Sequence, residues 1–221
     1  MKKIEILPTL LCGFDYLNAA SFKRTFDSCY EKYGNIDETG NFVTGETEGY
    51  NLVHHEEKFN HFYKFIYDCC EKYIIELGID LDRFDIYLAK SWLSFSDNEM
   101  IVLEHSHADH HISFIYYVDA PKDCYHICFK NPISINLNEP FHMAFHNSNI
   151  KTKNQYNVSV YNIPPKEGSV LFFPSKLIHF TDGEKFEGTR RAIAGDFMMV
   201  YKDIGNKMPW GLYDQKYWRK F

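Results

Sequence analysis

No stretch of this sequence approaches the eighteen consecutive apolar residues that a membrane-spanning helix requires, so a helical anchor is not expected. Positive charge is not in excess either. The formal net charge of the 221 residues is −6, which argues against a general nucleic-acid or membrane surface, though it leaves a local basic groove open. The opening segment, MKKIEILPTLLCGFDYL, carries two lysines but no small-residue cleavage pattern, and Glu5 interrupts it, so it reads as a strand rather than a secretory signal. The six cysteines (Cys12, Cys29, Cys69, Cys70, Cys124, Cys128) form no C-x-x-C pair and read as buried thiols of a protein folded in a reducing compartment, the cytoplasm. Internal repeats and low-complexity segments are absent. What remains, 45% hydrophobic and 24% charged, is the composition of an ordinary globular chain with one substantial core.

What is abundant is aromatic: 16 Tyr and 19 Phe, spread over helical and extended patterns alike, which fits a core of large rings. After an opening strand near Ile4–Leu11, the first 80 residues read mainly as helix. Phe22, Phe26, Cys29 and Tyr33 recur at helical spacing before Gly34, and a polar loop follows over Asn35–Gly49. A stronger stripe, Phe59, Phe62, Ile66, Cys69 or Cys70, Tyr73 and Leu77, ends at Gly78. From Arg83 the period becomes extended, with candidate strands at Asp85–Ser94, Met100–His105, Ile112–Asp119, Tyr125–Phe129, Asn157–Ile163, Ser169–Phe173 and Arg191–Tyr201. Short strands punctuated by Ala-Pro, Asn-Pro and Pro-Pro turns predict a mainly β sandwich or barrel, with the N-terminal helices covering one sheet. The expected organisation is one domain over 1–221: a helical cover (1–80), a barrel (81–201) and an aromatic tail (202–221). The polar connection Glu139–Tyr156 has the length of a lid or binding loop. The tail holds Trp210, Tyr213, Tyr217 and Trp218, and it could pack on the barrel, close a site, or bury against a second subunit as a homodimer.

One segment concentrates chemistry. EHSHADHHISFIYYVDAP, Glu104 to Pro121, packs His105, His107, His110, His111 and Asp109 into seven residues. Within it His107-Ala108-Asp109 is H-x-D. If extended, it projects an imidazole and a carboxylate from one face, two thirds of the 2-His-1-carboxylate triad of non-haem iron. His105 could replace His107 in a shifted register, but without a carboxylate two residues on. His110 and His111 read as rim groups. His54, His55 and His61 accompany the second helix and read as exposed or first-turn residues. Asp119, Asp123, His126, His142 and His146 have no usable partner spacing.

Further along, GSVLFFPSKLIHF brings His179 after a buried strand and a turn, and Arg190 follows eleven positions later at the head of another strand. A facial triad leaves three positions open on octahedral iron. A 2-oxo acid can fill two of them, and its distant carboxylate then needs a fixed cation such as arginine. In this ordered set the chain resembles the 2-oxoglutarate/Fe(II)-dependent oxygenases, in particular a branch common in bacteriophage genomes. That branch shows H-x-H-P-x-x-x-x-S-G-x-Y-Y, then G-x-x-x-x-F-P-x-x-x-x-H, then R-x-x-x-x-x-N. The matches are His105, His107, Ser113, Tyr116 and Tyr117; Gly168, Phe173, Pro174 and His179; and Arg190, with Asp196 in the last position. Two positions depart from the pattern, Ala108 and Phe114, and the branch varies at Asp109, whose assignment rests on the H-x-D chemistry.

The resemblance implies a double-stranded β-helix (a jelly-roll, cupin-like barrel) holding Fe(II) through His107, Asp109 and His179. It also implies 2-oxoglutarate gripped by Arg190, with Tyr117 and Ser113 as further contacts and Arg191 as the alternative clamp. The implied reaction consumes O₂ and 2-oxoglutarate, releases succinate and CO₂, and hydroxylates an unactivated C–H bond. A phage-encoded chain would work in the host cytoplasm. The substrate, whether small molecule or protein, is not specified. Two rivals predict different behaviour: a cupin-like metalloprotein that does not use 2-oxoglutarate, and a binding or virion module on a degenerate barrel.

Overall fold

The computed structural model describes residues 9–28, 51–97, 101–132, 151–152, 154 and 157–202. The elements are β1 (Cys12–Asp15), α1 (Ala19–Asp27), α2 (Asn60–Glu76), β2 (Phe84–Ser96), β3 (Ile112–Asp119), β4 (His126–Lys130), β5 (Val160–Ile163), β6 (Ser169–Pro174), β7 (His179–Asp182) and β8 (Arg190–Tyr201). All pairings between these strands are antiparallel. They form a five-stranded sheet, β1-β6-β3-β8-β2, and a three-stranded sheet, β5-β4-β7. This is the expected mainly β double-stranded β-helix, with helices laid on the larger sheet.

The helices form because their apolar residues recur on one face. In α2, Phe62, Ile66, Cys69, Cys70 and Tyr73 are buried, and Phe62 stacks on Phe22 of α1 with ring centroids 4.2 Å apart. Gly78 ends the helix at φ +74. Ile79 donates to the Ile74 carbonyl and Gly78 to Ile75, a Schellman termination that a residue without Cβ adopts freely. The helical face meets Phe95, Phe114, Tyr116, Phe172, Ile193 and Phe197 on the outer side of the larger sheet. The opposite side of the same strands contributes Ile115, Tyr117, Phe173 and Ala192. They pack with Ile127 and Phe129 of the smaller sheet in a second core between the sheets. β3 is therefore buried on both faces, which is why Phe114–Val118 reads as a continuous run of apolar and aromatic residues.

Several boundaries differ from expectation. The first strand lies at Cys12–Asp15, and residues 9–11 are not in it; residues 1–8 lie outside the described residues. Helix α1 stops at Asp27, while the expected continuation to Gly34, the loop Asn35–Gly49, most of Glu139–Tyr156 and the tail Met208–Phe221 lie outside the described residues. Ile101–Glu104 does not form a strand, although His105 makes an isolated bridge to His179. β5 starts three residues late, at Val160, and β7 was not foreseen as a strand. No helix among the described residues is long and apolar enough to cross a membrane.

Candidate metal centre

The centre is made where the chain crosses from one sheet to the other. His179 opens β7, paired with Phe129 of β4 on one side. On its free side His105 exchanges both backbone hydrogen bonds with it, at 3.0 and 2.9 Å. Directly opposed residues of an antiparallel pair share a face, and the two imidazole centroids stand 4.2 Å apart. His107, two residues on, donates its backbone N–H to the Ser175 carbonyl and brings its ring to 5.2 Å from His105 and 5.1 Å from His179. Each of the three offers a ring nitrogen, and these all lie within 4.8 Å of one another.

Their tautomers are set from behind. Nδ1 of His105 donates to the Leu103 carbonyl and Nδ1 of His179 to the Leu177 carbonyl, both at 2.8 Å. Nδ1 of His107 donates to Asp196 Oδ1 at 2.7 Å. Every Nδ1 is thus occupied, which leaves Nε2 as the lone-pair nitrogen of all three rings. Burial pushes the His179 pKa down to about 4, with the neighbouring His105 and His107 acting in the same direction, so this imidazole is neutral and ready to ligate at physiological pH. Burial alone would raise the Asp196 carboxyl. Hydrogen bonds from His107 and Ser113 and the charges of His107 and Lys90 more than reverse this, and it stays below the usual carboxylate range. Three imidazoles whose ring nitrogens lie within 4.8 Å of one another, each with its Nδ1 already occupied, fit a transition-metal ion such as Fe(II).

The same residues open onto a cavity of about 540 Å³ whose wall includes Trp92, Ile115, Ile127, Phe173, Ala194 and Arg190. Arg190 is 1% exposed. It donates through Nη1 to the Tyr125 carbonyl and through Nη2 to Ser96 Oγ, each at 3.0 Å, while its Nε finds no partner among the described residues. Tyr117 packs among the cavity-lining side chains, and its buried hydroxyl is likewise without a partner among the described residues. Its pKa is pushed up by burial, with the nearby Arg190 charge opposing, so it stays a donor. A buried guanidinium and a buried phenol, each with an unused donor, fit the far carboxylate of a dicarboxylate ligand.

Residues 90–196 match the family described as "Putative 2OG-Fe(II) oxygenase". Over this stretch, just under half of the chain, the sequence is similar to the 2OG-Fe(II) oxygenases, and the enzyme is an oxygenase. Among solved structures, this oxygenase is similar to a Pseudomonas putida prolyl-4-hydroxylase, with 12% identity, 86% of this chain and 92% of the other covered, and a TM-score of 0.54. It is also similar to HygX from Streptomyces hygroscopicus, solved with nickel, 2-oxoglutarate and hygromycin B, at 12% identity, 86% and 83% coverage and a TM-score of 0.54. At these identities the likeness concerns the fold. An oxidoreductase of the 2OG-Fe(II) oxygenase family from Burkholderia pseudomallei matches at 8% identity and a TM-score of 0.39 over 52% of this chain, which spans 46% of that protein's length. No curated protein matches this oxygenase by sequence.

The structure of this oxygenase brings His107 and His179 together but does not bring Asp109 to them. The His107 carbonyl accepts from His110 N at 3.2 Å, so Ala108 and Asp109 are corner residues of a turn, and Asp109 is exposed. The extended geometry that would have aligned H-x-D is absent, and His105 stands in the group where the carboxylate was expected. Ser113, expected at the co-substrate, lies behind His107: its Oγ donates to Asp196 Oδ1 at 2.6 Å and sits 3.3 Å from His107 Nδ1. The two arginines separate cleanly. Arg190 faces the cavity, whereas Arg191 points outward to Asp119 and, at 2.7 Å, to Asp27. Sequence reasoning gave Asp196 no role of its own. The usable signal was parity, since it shares the inward face of β8 with Arg190.

Proposed function

We propose that this oxygenase is an Fe(II)- and 2-oxoglutarate-dependent dioxygenase that hydroxylates an unactivated C–H bond, with the metal held by His105, His107 and His179. The observation that carries this reading is the shared cavity: three imidazoles and the buried Arg190, with its unused Nε, line the same space, and the unpartnered Tyr117 hydroxyl is buried near Arg190. When bound, Fe(II), 2-oxoglutarate and O₂ supply the oxidising chemistry, with succinate and CO₂ as by-products. The chain's own residues do the positioning. Nδ1 hydrogen bonds hold the three rings in one tautomer. Arg190 and Tyr117 orient the co-substrate through its far carboxylate. Trp92, Ile127 and Phe173 exclude water from the reacting volume. Asp109 is assigned no ligand role.

The test is metal-dependent conversion of 2-oxoglutarate to succinate by the Fe(II)-loaded protein. The parent and Asp109→Asn should both bind one Fe(II) and turn over, while His105→Ala and His107→Ala should lose metal. Iron binding without succinate at any 2-oxoglutarate concentration would point instead to a metalloprotein on the same barrel that does not use the keto acid, a role three histidines also suit. Loss of iron in Asp109→Asn would overturn the ligand assignment.

A further inference from the structure

A 2-His-1-carboxylate centre places one negative charge on the metal. Here all three assembled donors are imidazoles and none is a carboxylate, yet a fully buried carboxylate stands directly behind one of them. Asp196 is 0% exposed; its Oδ1 is hydrogen-bonded, and its Oδ2 has no hydrogen-bond partner among the described residues but lies near two basic side chains. Oδ1 accepts from His107 Nδ1 at 2.7 Å and from Ser113 Oγ at 2.6 Å, while Lys90 Nζ lies 3.3 Å and His110 Nδ1 3.9 Å from Oδ2. Ser113 is in turn within 2.9 Å of Ser175 Oγ, whose own carbonyl holds the His107 backbone. The register pairs Ser113 of β3 directly with Asp196 of β8, so the strand ladder delivers this carboxylate to its position. An ionised carboxylate out of water is costly unless it is paired and hydrogen-bonded, and here Oδ1 takes two hydrogen bonds while the Lys90 ammonium stands beside Oδ2. The other two rings rest on neutral carbonyls. The asymmetry singles out His107.

We propose that Asp196 is the anionic partner of the metal centre, acting through the His107 imidazole: it locks the Nδ1–H tautomer and supplies, from outside the ligand sphere, the negative charge that the three-imidazole donor set lacks. This rests on His105, His107 and His179 being the ligands. Asp196 is a positioning residue, since it touches no metal or substrate itself. A charge donated through an imidazole raises the basicity of that ligand, which strengthens its bond to a divalent cation.

Co(II) titration followed by its visible absorption tests this on the parent, Asp196→Asn and His107→Ala, with thermal melts checking the fold. Asp196→Asn keeps the shape and an acceptor oxygen but removes the charge, and it should weaken Co(II) binding roughly 10–100-fold. His107→Ala should abolish binding. Parent-like affinity in Asp196→Asn beside a dead His107→Ala would overturn the role of Asp196 and leave the ligands standing. Parent-like binding in His107→Ala would overturn the ligand reading itself. A second measurement needs no variant. In the metal-free parent, ¹⁵N-edited NMR should find His107 protonated at Nδ1, with that proton far downfield from its bond to a carboxylate. A His107 protonated at Nε2 and not at Nδ1 overturns the proposal.

Discussion

At the scale of single residues, His179 couples the site to pH. Its ordinary value of 6.5 is depressed to about 4 in the fold, first by burial and then by the facing His105 and His107. As pH falls the unfolded chain therefore takes up this proton first. The stabilisation is complete above about 6.5 and is lost as pH falls through about 4, a difference of about 3 kcal/mol at most. Urea unfolding of the metal-free protein between pH 7 and pH 4 should show this decline, and His179→Gln should flatten it. Some slope will remain, because burial also depresses His54 to about 4. An equal slope in the two proteins would mean that His179 is not buried neutral. The same scale explains what could be read from the residues and what could not. His107, His179 and Arg190 were legible as a set because their order and spacing match a family pattern. Asp109 was expected on one face with His107 because period-two alternation was extended through what is a turn, closed by His110 N on the His107 carbonyl. Asp196 went unassigned because its partner is 89 residues away, a distance that only strand register closes.

At the scale of elements, β8 organises the site by alternation. Arg190, Ala192, Ala194 and Asp196 face inward, and Arg191, Ile193, Gly195 and Phe197 face the helical layer. At Gly195, β8 is packed tightly between β2 and β3. A Cβ there would stand 2.6 Å from Phe114 Cε1 and 2.8 Å from the Lys90 carbonyl, and the backbone carbonyl cannot swing aside. Gly195→Ala should cost about 1–3 kcal/mol in denaturant unfolding, as overpacking usually does, and should weaken metal binding by shifting Asp196 next to it. A variant as stable as the parent would show that β2 and β8 can separate freely here. Long apolar or alternating runs such as Ile112–Asp119 and Arg190–Tyr201 were legible with errors of a residue or less. The four-residue β7 was not, since its strand character comes from pairing with β4 and His105 rather than from its own pattern.

At the scale of the whole molecule, the centre ties the layers together. His105 and His179 belong to the smaller sheet and its edge, whereas His107 is anchored through Asp196 to the larger one, whose other face carries α1 and α2. Bound metal therefore cross-links the sheets, and by linkage it should raise unfolding stability by about 2.7 kcal/mol at a hundredfold excess over Kd. The cavity between the sheets, with imidazoles at one end and Arg190 further in, is what makes a keto-acid co-substrate the central claim. That claim is tested most directly by adding 2-oxoglutarate anaerobically to the Fe(II)-loaded protein and following visible absorbance. A weak charge-transfer band that saturates in the parent, and needs far more 2-oxoglutarate in Arg190→Ala while iron stays bound, is the predicted result. No band at any concentration, with iron fully bound, would contradict it.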